Sequence, residues 1–379
     1  MLESLELRNF KCFENLDLPL GLLTLLSGSN ASGKSSALQA LVLLHQTIRE
    51  HEWSTRLMLN GNSVQLGTVL DVVDKVHGRR QIGIGLGDRA STLRWRFHGD
   101  REEMSMATES VRVAGVEIKD PPALRHLLPP DHYDRAASFA TRLRDLTYIT
   151  AERVGPREIY ALEDRQAARV VGPRGEHMLS VLYRVRAEPI RDSLRVADVA
   201  PTGLKQIEAR MARFFPGCRI DLQLVPQANA VTLGVRTSDE TDFHRPVHVG
   251  FGLTQVLPIV IAAVSAAEQD ILLIENPEVH LHPAGQALMG AFLAEVAASG
   301  TQVIVETHSD HVLNGIRRAV KAGTLRPEQA LLHFFRPRGG ELDQVVSPTL
   351  DAEGNIDVWP EGFFDQFDKD MNHFVGWDE

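Results

Sequence analysis

The sequence has few cysteines, no long apolar run and no secretory signal peptide, and these absences argue against a secreted, disulfide-rich protein and against a membrane protein. Cys12 and Cys218 are far apart and no CxxC pair occurs, which indicates a reducing environment. The first residues lack the basic and apolar regions of a signal peptide. The longest apolar run, from Val256 to Ala267, contains Pro258 and is too short to span a bilayer. We therefore expect a cytoplasmic protein without membrane contact.

A strong excess of positive charge is also missing. The 40 Lys and Arg residues against 50 Asp and Glu give a net charge of -10, which excludes nucleic-acid binding by the whole surface but permits a local basic groove. Between residues 152 and 195, nine arginines alternate with seven acidic residues, which favours a solvated mixed-charge face over such a groove. Sustained heptads are absent, and this excludes long coiled-coil arms.

What the sequence does contain is a strand, a glycine-rich loop and a helix in direct succession. With 379 residues and 43% hydrophobic content, the chain can bury a large core. Leucines alternate with polar residues over 4–8 and 16–20, which predicts two half-buried strands. A continuous apolar strand, 22–26, then enters the loop 28–35, and Ala37 to Ile48 shows helical spacing.

Three further segments have strand patterns and predict an antiparallel sheet. They are Gln81 to Leu86, Thr92 to Phe97 and Val111 to Ile118, and the first two flank a Gly-Asp-Arg turn. The segment from about 121 to 216 shows mixed helix and loop signals.

The loop has the GxxxxGKS pattern that cradles phosphate groups. Its glycines let the backbone curl so that successive N–H groups point at phosphate oxygens, and the following helix adds the positive end of its dipole. Lys34 is expected to reach the β and γ phosphates of a nucleotide, and the Ser35 hydroxyl to ligate Mg²⁺. The predicted nucleotide-binding residues of this loop are Gly28, Asn30, Ala31, Ser32, Gly33, Lys34, Ser35 and Ser36.

A second signal is the run Ile271-Leu272-Leu273-Ile274-Glu275, which predicts a buried parallel strand that delivers a carboxylate to the phosphate edge of the sheet. There Glu275 is expected to hold Mg²⁺ through water. The glycine-rich run 250–255 lies upstream of this strand, and the run 303–308, which ends in Thr-His, lies downstream.

This order resembles the signature, Walker B and His switch of ABC ATPases. The opening Leu7-Arg8-Asn9-Phe10-Lys11, the glycine loop, the run 275–283 and Glu306-Thr307-His308-Ser309 look like the SMC/RecF/OLD branch. The run 359–365, Trp-Pro-Glu-Gly-Phe-Phe-Asp, looks like the tail of small stand-alone bacterial members, which resemble the ATPase half of OLD nucleases and occur among anti-phage defence genes.

The resemblance implies roles for further residues. Gly250 and Gly252 would cap the γ phosphate bound to the opposite protomer, so that ATP closes a homodimer, and His308 would position the γ phosphate and the attacking water. In most ABC ATPases the Walker B strand ends in Asp-Glu, with the Glu as general base, whereas here Glu275 is followed by Asn276. Glu278 is therefore the candidate base, and hydrolysis is expected to be slow. Pro277 is expected to keep Asn276 extended.

Two further motifs could be read as metal-binding sites. His280 and His282 would lie on one side of an extended strand and suit a transition metal, but they fall where the family has its dimer-contact loop. Asp368-Lys369-Asp370 matches a motif of the metal nuclease domain in OLD proteins. About 70 residues follow His308, too few for that domain, so a solvated acidic tail is favoured.

The resulting expectation is an α/β P-loop NTPase, an ABC ATPase head with a mixed central sheet, an antiparallel subsheet and a helical insert. The predicted division is an ATPase lobe over 1–120, the insert over 121–216, and a second ATPase lobe over 217–379. The expected protein binds ATP and Mg²⁺, dimerises around ATP and controls a separately encoded effector, a nuclease or toxin, in anti-phage defence. A RecF-like DNA-repair clamp that binds DNA, and a scaffold with little turnover, remain alternatives, as does an oligomer larger than a dimer.

Overall fold

The computed structural model describes residues 1–163, 169–339 and 342–375. The strands are β1 Ser4–Phe10, β2 Phe13–Pro19, β3 Leu23–Gly28, β4 Arg56–Met58, β5 Gln81–Gly87, β6 Thr92–His98, β7 Ser105–Val113, β8 Val116–Lys119, β9 Thr147–Ile149, β10 Tyr160–Ala161, β11 Arg219–Val225, β12 Ala230–Arg236, β13 Ile271–Glu275, β14 Gln302–Glu306, β15 Ala330–Phe335 and β16 Val345–Val346. The helices are α1 Lys34–Glu50, α2 Val69–Val72, α3 Tyr133–Arg144, α4 Met178–Val185, α5 Gly203–Phe214, α6 Phe251–Ser265, α7 Pro283–Ala298, α8 Asp310–Lys321 and α9 Gln366–Val375.

A mixed sheet with the order β16-β15-β3-β14-β13-β9 forms the centre of the molecule. All of its neighbouring strands are parallel except β16, which pairs antiparallel with β15. Strand β3 lies inside the sheet, between β15 and β14, and so the glycine loop that follows it leaves from the middle of the carboxyl edge. The predicted fold class is confirmed.

Alternate residues of the central strands enter two separate hydrophobic clusters. Leu272 and Ile274 of β13 belong to a cluster with helices α4 to α8, whereas Ile271 and Leu273 belong to a cluster with α1, α3 and the antiparallel sheet. Because both faces are covered, these strands are apolar at nearly every position, which is the pattern that predicted β3 and β13.

The antiparallel sheet has the order β2-β1-β5-β6-β7-β4, with β8 paired to β7. The prediction of a single strand over residues 111–118 is wrong. Ala114 and Gly115 have φ angles of 48° and 87°, and they form a tight turn between β7 and β8. Strand β4 was not predicted because its three residues are too few to show a period.

The segment 121–216, which the sequence predicts to be an insert, contains the helices α3, α4 and α5 and also supplies a strand to the central sheet. Strand β9 pairs in parallel with β13. Strand β10 pairs with β12 in a separate three-stranded sheet with the order β10-β12-β11. Asp164 and Arg165, which belong to the arginine-rich stretch, lie outside the described residues.

The C-terminal part adds β15 and β16 to the edge of the central sheet and ends in α9. The Asp368-Lys369-Asp370 motif falls in α9, where the side chains of residues 366–369 lie outside the described part of the structure. Within the described ranges, none of the helices combines the length and the apolar character needed to cross a membrane.

Candidate functional site

The glycine loop connects β3 to α1 at the carboxyl edge of the central sheet. Gly28 and Gly33 have φ angles of 135° and 111°, and Ala31 has one of 60°. A Cβ at Gly28 would come within 2.1 Å of the Phe335 carbonyl oxygen. The chain therefore needs glycine at position 28 both for its conformation and for the close approach of β15.

The side chains of the loop stabilise its curled backbone. The Lys34 ammonium donates hydrogen bonds to the carbonyl oxygens of Gly28 at 3.0 Å and Ser29 at 2.8 Å. The Ser32 hydroxyl donates to the Ser29 carbonyl at 2.7 Å. Burial lowers the pKa of Lys34. Asn30 and Ala31 are exposed, whereas Ser36 is half-buried in the first turn of α1.

Ser35 meets Glu306, a carboxylate to which the sequence pattern assigns no role. Its hydroxyl donates to Glu306 Oε1 at 2.9 Å. Burial and the nearby Glu275 raise the pKa of Glu306 to about 7. The other oxygen, Glu306 Oε2, is buried and has no hydrogen-bond partner among the described residues. The available signal was an apolar strand that ends in Glu, the same signal that identified Glu275.

Glu275 lies one strand further from the loop. In the parallel pairing of β13 with β14 it is the register partner of Glu306. The Tyr148 hydroxyl donates to its Oε1 at 2.8 Å, and the Ala151 N–H donates to its Oε2 at 3.3 Å. Burial and the Glu275 carboxylate raise the pKa of Tyr148, so the phenol keeps its proton and remains a donor. Both oxygens of Glu275 therefore have a protein partner.

Glu278 connects the loop after β13 to the His switch. Its Oε2 accepts a hydrogen bond from the Thr307 hydroxyl at 2.8 Å, and its Oε1 accepts one from the His308 N–H at 2.9 Å. His308 is an exposed residue at the same edge, and its ring is partly covered. Partial burial of the ring, together with the positive charge of Lys34, lowers the pKa of His308.

The expectation that Pro277 keeps Asn276 extended is wrong. Asn276 has a φ of 43°, in the left-handed region that asparagine tolerates better than most residues. Its N–H donates to the Glu306 carbonyl at 2.8 Å, which holds the turn against β14. The proline favours an extended preceding residue, and Asn276 departs from that preference because asparagine tolerates the left-handed region and its N–H is held by β14.

Arg153 is buried at the junction of three parts of the site. Its guanidinium donates to the carbonyl oxygens of Glu275 at 3.1 Å and Asn276 at 2.8 Å, and to Gln255 Oε1 in α6 at 3.2 Å. Burial lowers its pKa to about 10, and the side chain remains charged at neutral pH. Arg153 thus connects the glycine-rich start of α6 to the turn after β13.

We expect Arg153→Ala to destabilise the protein by about 3 kcal/mol, because it leaves several buried acceptors without a donor. Thermal and urea unfolding would measure the change. The matched control is Arg174→Ala, which removes a guanidinium that is 54% exposed and paired with an exposed Glu152; the expected loss is below about 0.5 kcal/mol. Equal effects of the two substitutions would contradict the role given to Arg153.

The two glycines of the predicted signature have different surroundings. Gly250 is exposed at the N-terminal end of α6, and a Cβ there would meet no atom within 4 Å. A Cβ at Gly252 would lie 2.7 Å from the His280 carbonyl oxygen, so a side chain at this position would clash with the backbone. The exposed Phe251 packs against the His280 ring, with 5.6 Å between the ring centroids. His280 thereby contacts the start of α6.

Sequence comparisons match two parts of the chain to known families. Residues 1–81 and 223–313 match a family described as an AAA ATPase domain, and residues 325–373 match one described as a protein of unknown function (DUF3696). The first match contains the glycine loop and the residues from Gly250 to His308.

A curated relative is the OLD nuclease of Thermus scotoductus (strain ATCC 700910 / SA-01), which is 24% identical over 330 residues. The match covers 82% of this chain and 59% of the relative, so the chain spans about three fifths of that protein.

Solved structures share the fold at low sequence identity. An Smc head bound to the C-winged helix domain of ScpA has a TM-score of 0.57 at 16% identity, and the match covers 92% of this chain and 98% of the Smc chain. An Smc head with an extended coiled coil, bound to the C-terminal domain of ScpA from Pyrococcus furiosus, has a TM-score of 0.58 at 12% identity. The match covers 100% of this chain and 99% of the Smc chain. The expected resemblance to ABC/SMC-type ATPases with OLD-like sequence is confirmed.

Proposed function

We propose that this chain, an ABC/SMC-type ATPase related to OLD nucleases, binds and slowly hydrolyses ATP and uses ATP to close a homodimer. The observation that supports this most directly is the meeting of the glycine loop with oxygen-bearing side chains at one sheet edge, where Ser35 contacts Glu306 and Glu275 lies on the next strand. These residues suit a triphosphate that carries a hard cation.

The side-chain oxygen atoms at this edge are suitable ligands for Mg²⁺. The Ser35 hydroxyl, Glu275 and the buried Glu306 carboxylate would hold the ion, and one oxygen of Glu306 has no hydrogen-bond partner among the described residues. When bound, Mg²⁺ would neutralise charge on the β and γ phosphates. The loop N–H groups would bind the phosphate oxygens, and Lys34 would exchange its two loop carbonyls for phosphate oxygens. His308 and Glu278, linked by a hydrogen bond, would orient the attacking water and accept its proton.

The dimer is tested at Gly250, because a substitution at Gly252 would also push against the His280 carbonyl. We expect Gly250→Asp to leave ATP binding by the monomer intact and to weaken ATP-dependent dimerisation at least about tenfold, since a carboxylate would face the partner's γ phosphate. Sedimentation with a non-hydrolysed ATP analogue measures this. Gly250→Ser has the same open space and no charge, and it should dimerise normally. Normal dimers of Gly250→Asp would contradict the proposal.

We further propose that the ATP-bound dimer regulates a separately encoded nuclease or toxin in cytoplasmic anti-phage defence. The relation to an OLD nuclease supports a connection with nucleic-acid cleavage. The test is a pull-down of the tagged full chain, with and without ATP, after co-expression with the product of the neighbouring open reading frame. Retention of that product only with ATP is the expected result.

The alternative of a DNA-repair clamp would be favoured by a strongly basic face. Arginines gather on the outer face of the antiparallel sheet, but Glu6 pairs with Arg94 at 2.7 Å and Glu117 pairs with Arg112 at 3.2 Å. Because carboxylates neutralise much of this face, we rank effector control above DNA binding. ATP-dependent DNA binding that weakens steeply with salt would reverse that order.

A further inference from the structure

We infer that Glu306 is a direct ligand of the Mg²⁺ that accompanies ATP. Its carboxylate takes the coordination position next to the one taken by the Ser35 hydroxyl. The inference rests on the proposed function and extends it to a residue outside the Walker B strand. Glu306 is only 5% exposed, and its Oε2 has no donor among the described residues. A buried carboxylate oxygen without a partner costs free energy unless a cation or a donor meets it.

The distance between the two side chains suits the ion. Neighbouring ligands of an octahedral Mg²⁺, each at about 2.0–2.1 Å from the metal, lie about 2.9 Å apart. Ser35 Oγ and Glu306 Oε1 are 2.9 Å apart. For metal binding the Ser35 proton has to rotate away so that the hydroxyl oxygen presents a lone pair.

The strand order explains why Glu306 rather than Glu275 takes this position. Strand β14 is the immediate neighbour of β3, from which the glycine loop leaves, and β13 lies beyond it. Both oxygens of Glu275 already accept hydrogen bonds, from Tyr148 and from the Ala151 N–H. Glu275 consequently contacts the ion through a bound water and not directly. The hydrogen bond from Tyr148 fixes the orientation of the Glu275 carboxylate.

The test measures metal binding without turnover. Mn²⁺ serves as the probe, and electron paramagnetic resonance counts the bound ion in the presence of a non-hydrolysed ATP analogue. Calorimetry measures the affinity for the analogue with EDTA and with Mg²⁺. We expect Glu306→Gln to weaken Mn²⁺ binding in the ternary complex by more than about 100-fold, and the matched Glu275→Gln by about tenfold. Affinity for the metal-free nucleotide should stay near the wild-type value in both.

The outcomes separate the inference from the proposed function. If the wild-type chain binds no ATP with or without metal, the proposed function fails. If it binds Mg²⁺ and ATP and Glu306→Gln keeps the wild-type Mn²⁺ affinity, or Glu275→Gln is the more impaired, the inference alone is overturned. Thermal unfolding checks that each variant folds. Should Glu306→Gln fail to fold, Glu306→Asp replaces it: weaker Mn²⁺ binding with unchanged metal-free affinity supports the inference, and unchanged Mn²⁺ binding overturns it.

Discussion

Lys34→Ala is expected to weaken ATP binding by about 100-fold or more and to abolish ATP-dependent dimerisation. The ammonium lies at the mouth of the glycine loop, on the carbonyl oxygens of Gly28 and Ser29, and it can turn to the phosphates. Two charge-assisted hydrogen bonds to phosphate, each worth about 1.5–3 kcal/mol, account for a loss of this size. Calorimetry with the ATP analogue measures it.

Lys321→Ala is the control, because this lysine is 64% exposed in α8 and pairs with the exposed Glu353 at 3.3 Å. Its affinity for ATP should equal that of the parent chain. An unchanged affinity in Lys34→Ala would remove the glycine loop from the proposed site.

Glu278→Gln is expected to keep ATP binding, to lower the rate of hydrolysis by about 10² to 10⁴, and to trap the closed dimer. Asn276 has no group that can accept a proton from water, so the nearest carboxylate on the same turn takes that role. Phosphate release measured under single-turnover conditions gives the rate. Asn276→Ala should have a smaller effect.

Thr307→Val separates proton acceptance from positioning. It removes the hydroxyl that donates to Glu278 Oε2 and leaves the carboxylate in place. If Thr307→Val is as slow as Glu278→Gln, the main role of Glu278 is to hold the His308 loop. If Glu278→Gln hydrolyses ATP at the parent rate while a Glu275 substitution abolishes turnover, Glu278 is structural only.

Local patterns in the sequence were sufficient for the glycine loop, the apolar strands and the antiparallel hairpins. Such elements depend on residues close together in the chain, and periods of two and 3.6 report which face is buried. The buried strand that ends at Glu275 was predicted in this way.

The contacts that complete the site depend on strand order, which periodicity does not report. Ser35 meets Glu306 across 271 residues of sequence because β14 lies beside β3. Tyr148 reaches Glu275 from β9, whose three residues are too short to show a pattern. The left-handed conformation of Asn276 does not follow from the proline rule, which favours extended backbone, because a hydrogen bond to the Glu306 carbonyl on the neighbouring strand holds the residue in its turn.

Strand β9 limits how the chain can be shortened. It forms one margin of the central sheet and covers β13 along Leu272 to Ile274. A shortened chain that lacked residues 121–216 would leave unpaired the backbone N–H and C=O groups of β13 that now face β9, and such exposed apolar sheet edges recruit strands from other molecules. We expect the chain without residues 121–216 to aggregate. Cleavage of the backbone in the exposed turn at Ala114 and Gly115 should leave the protein unaggregated.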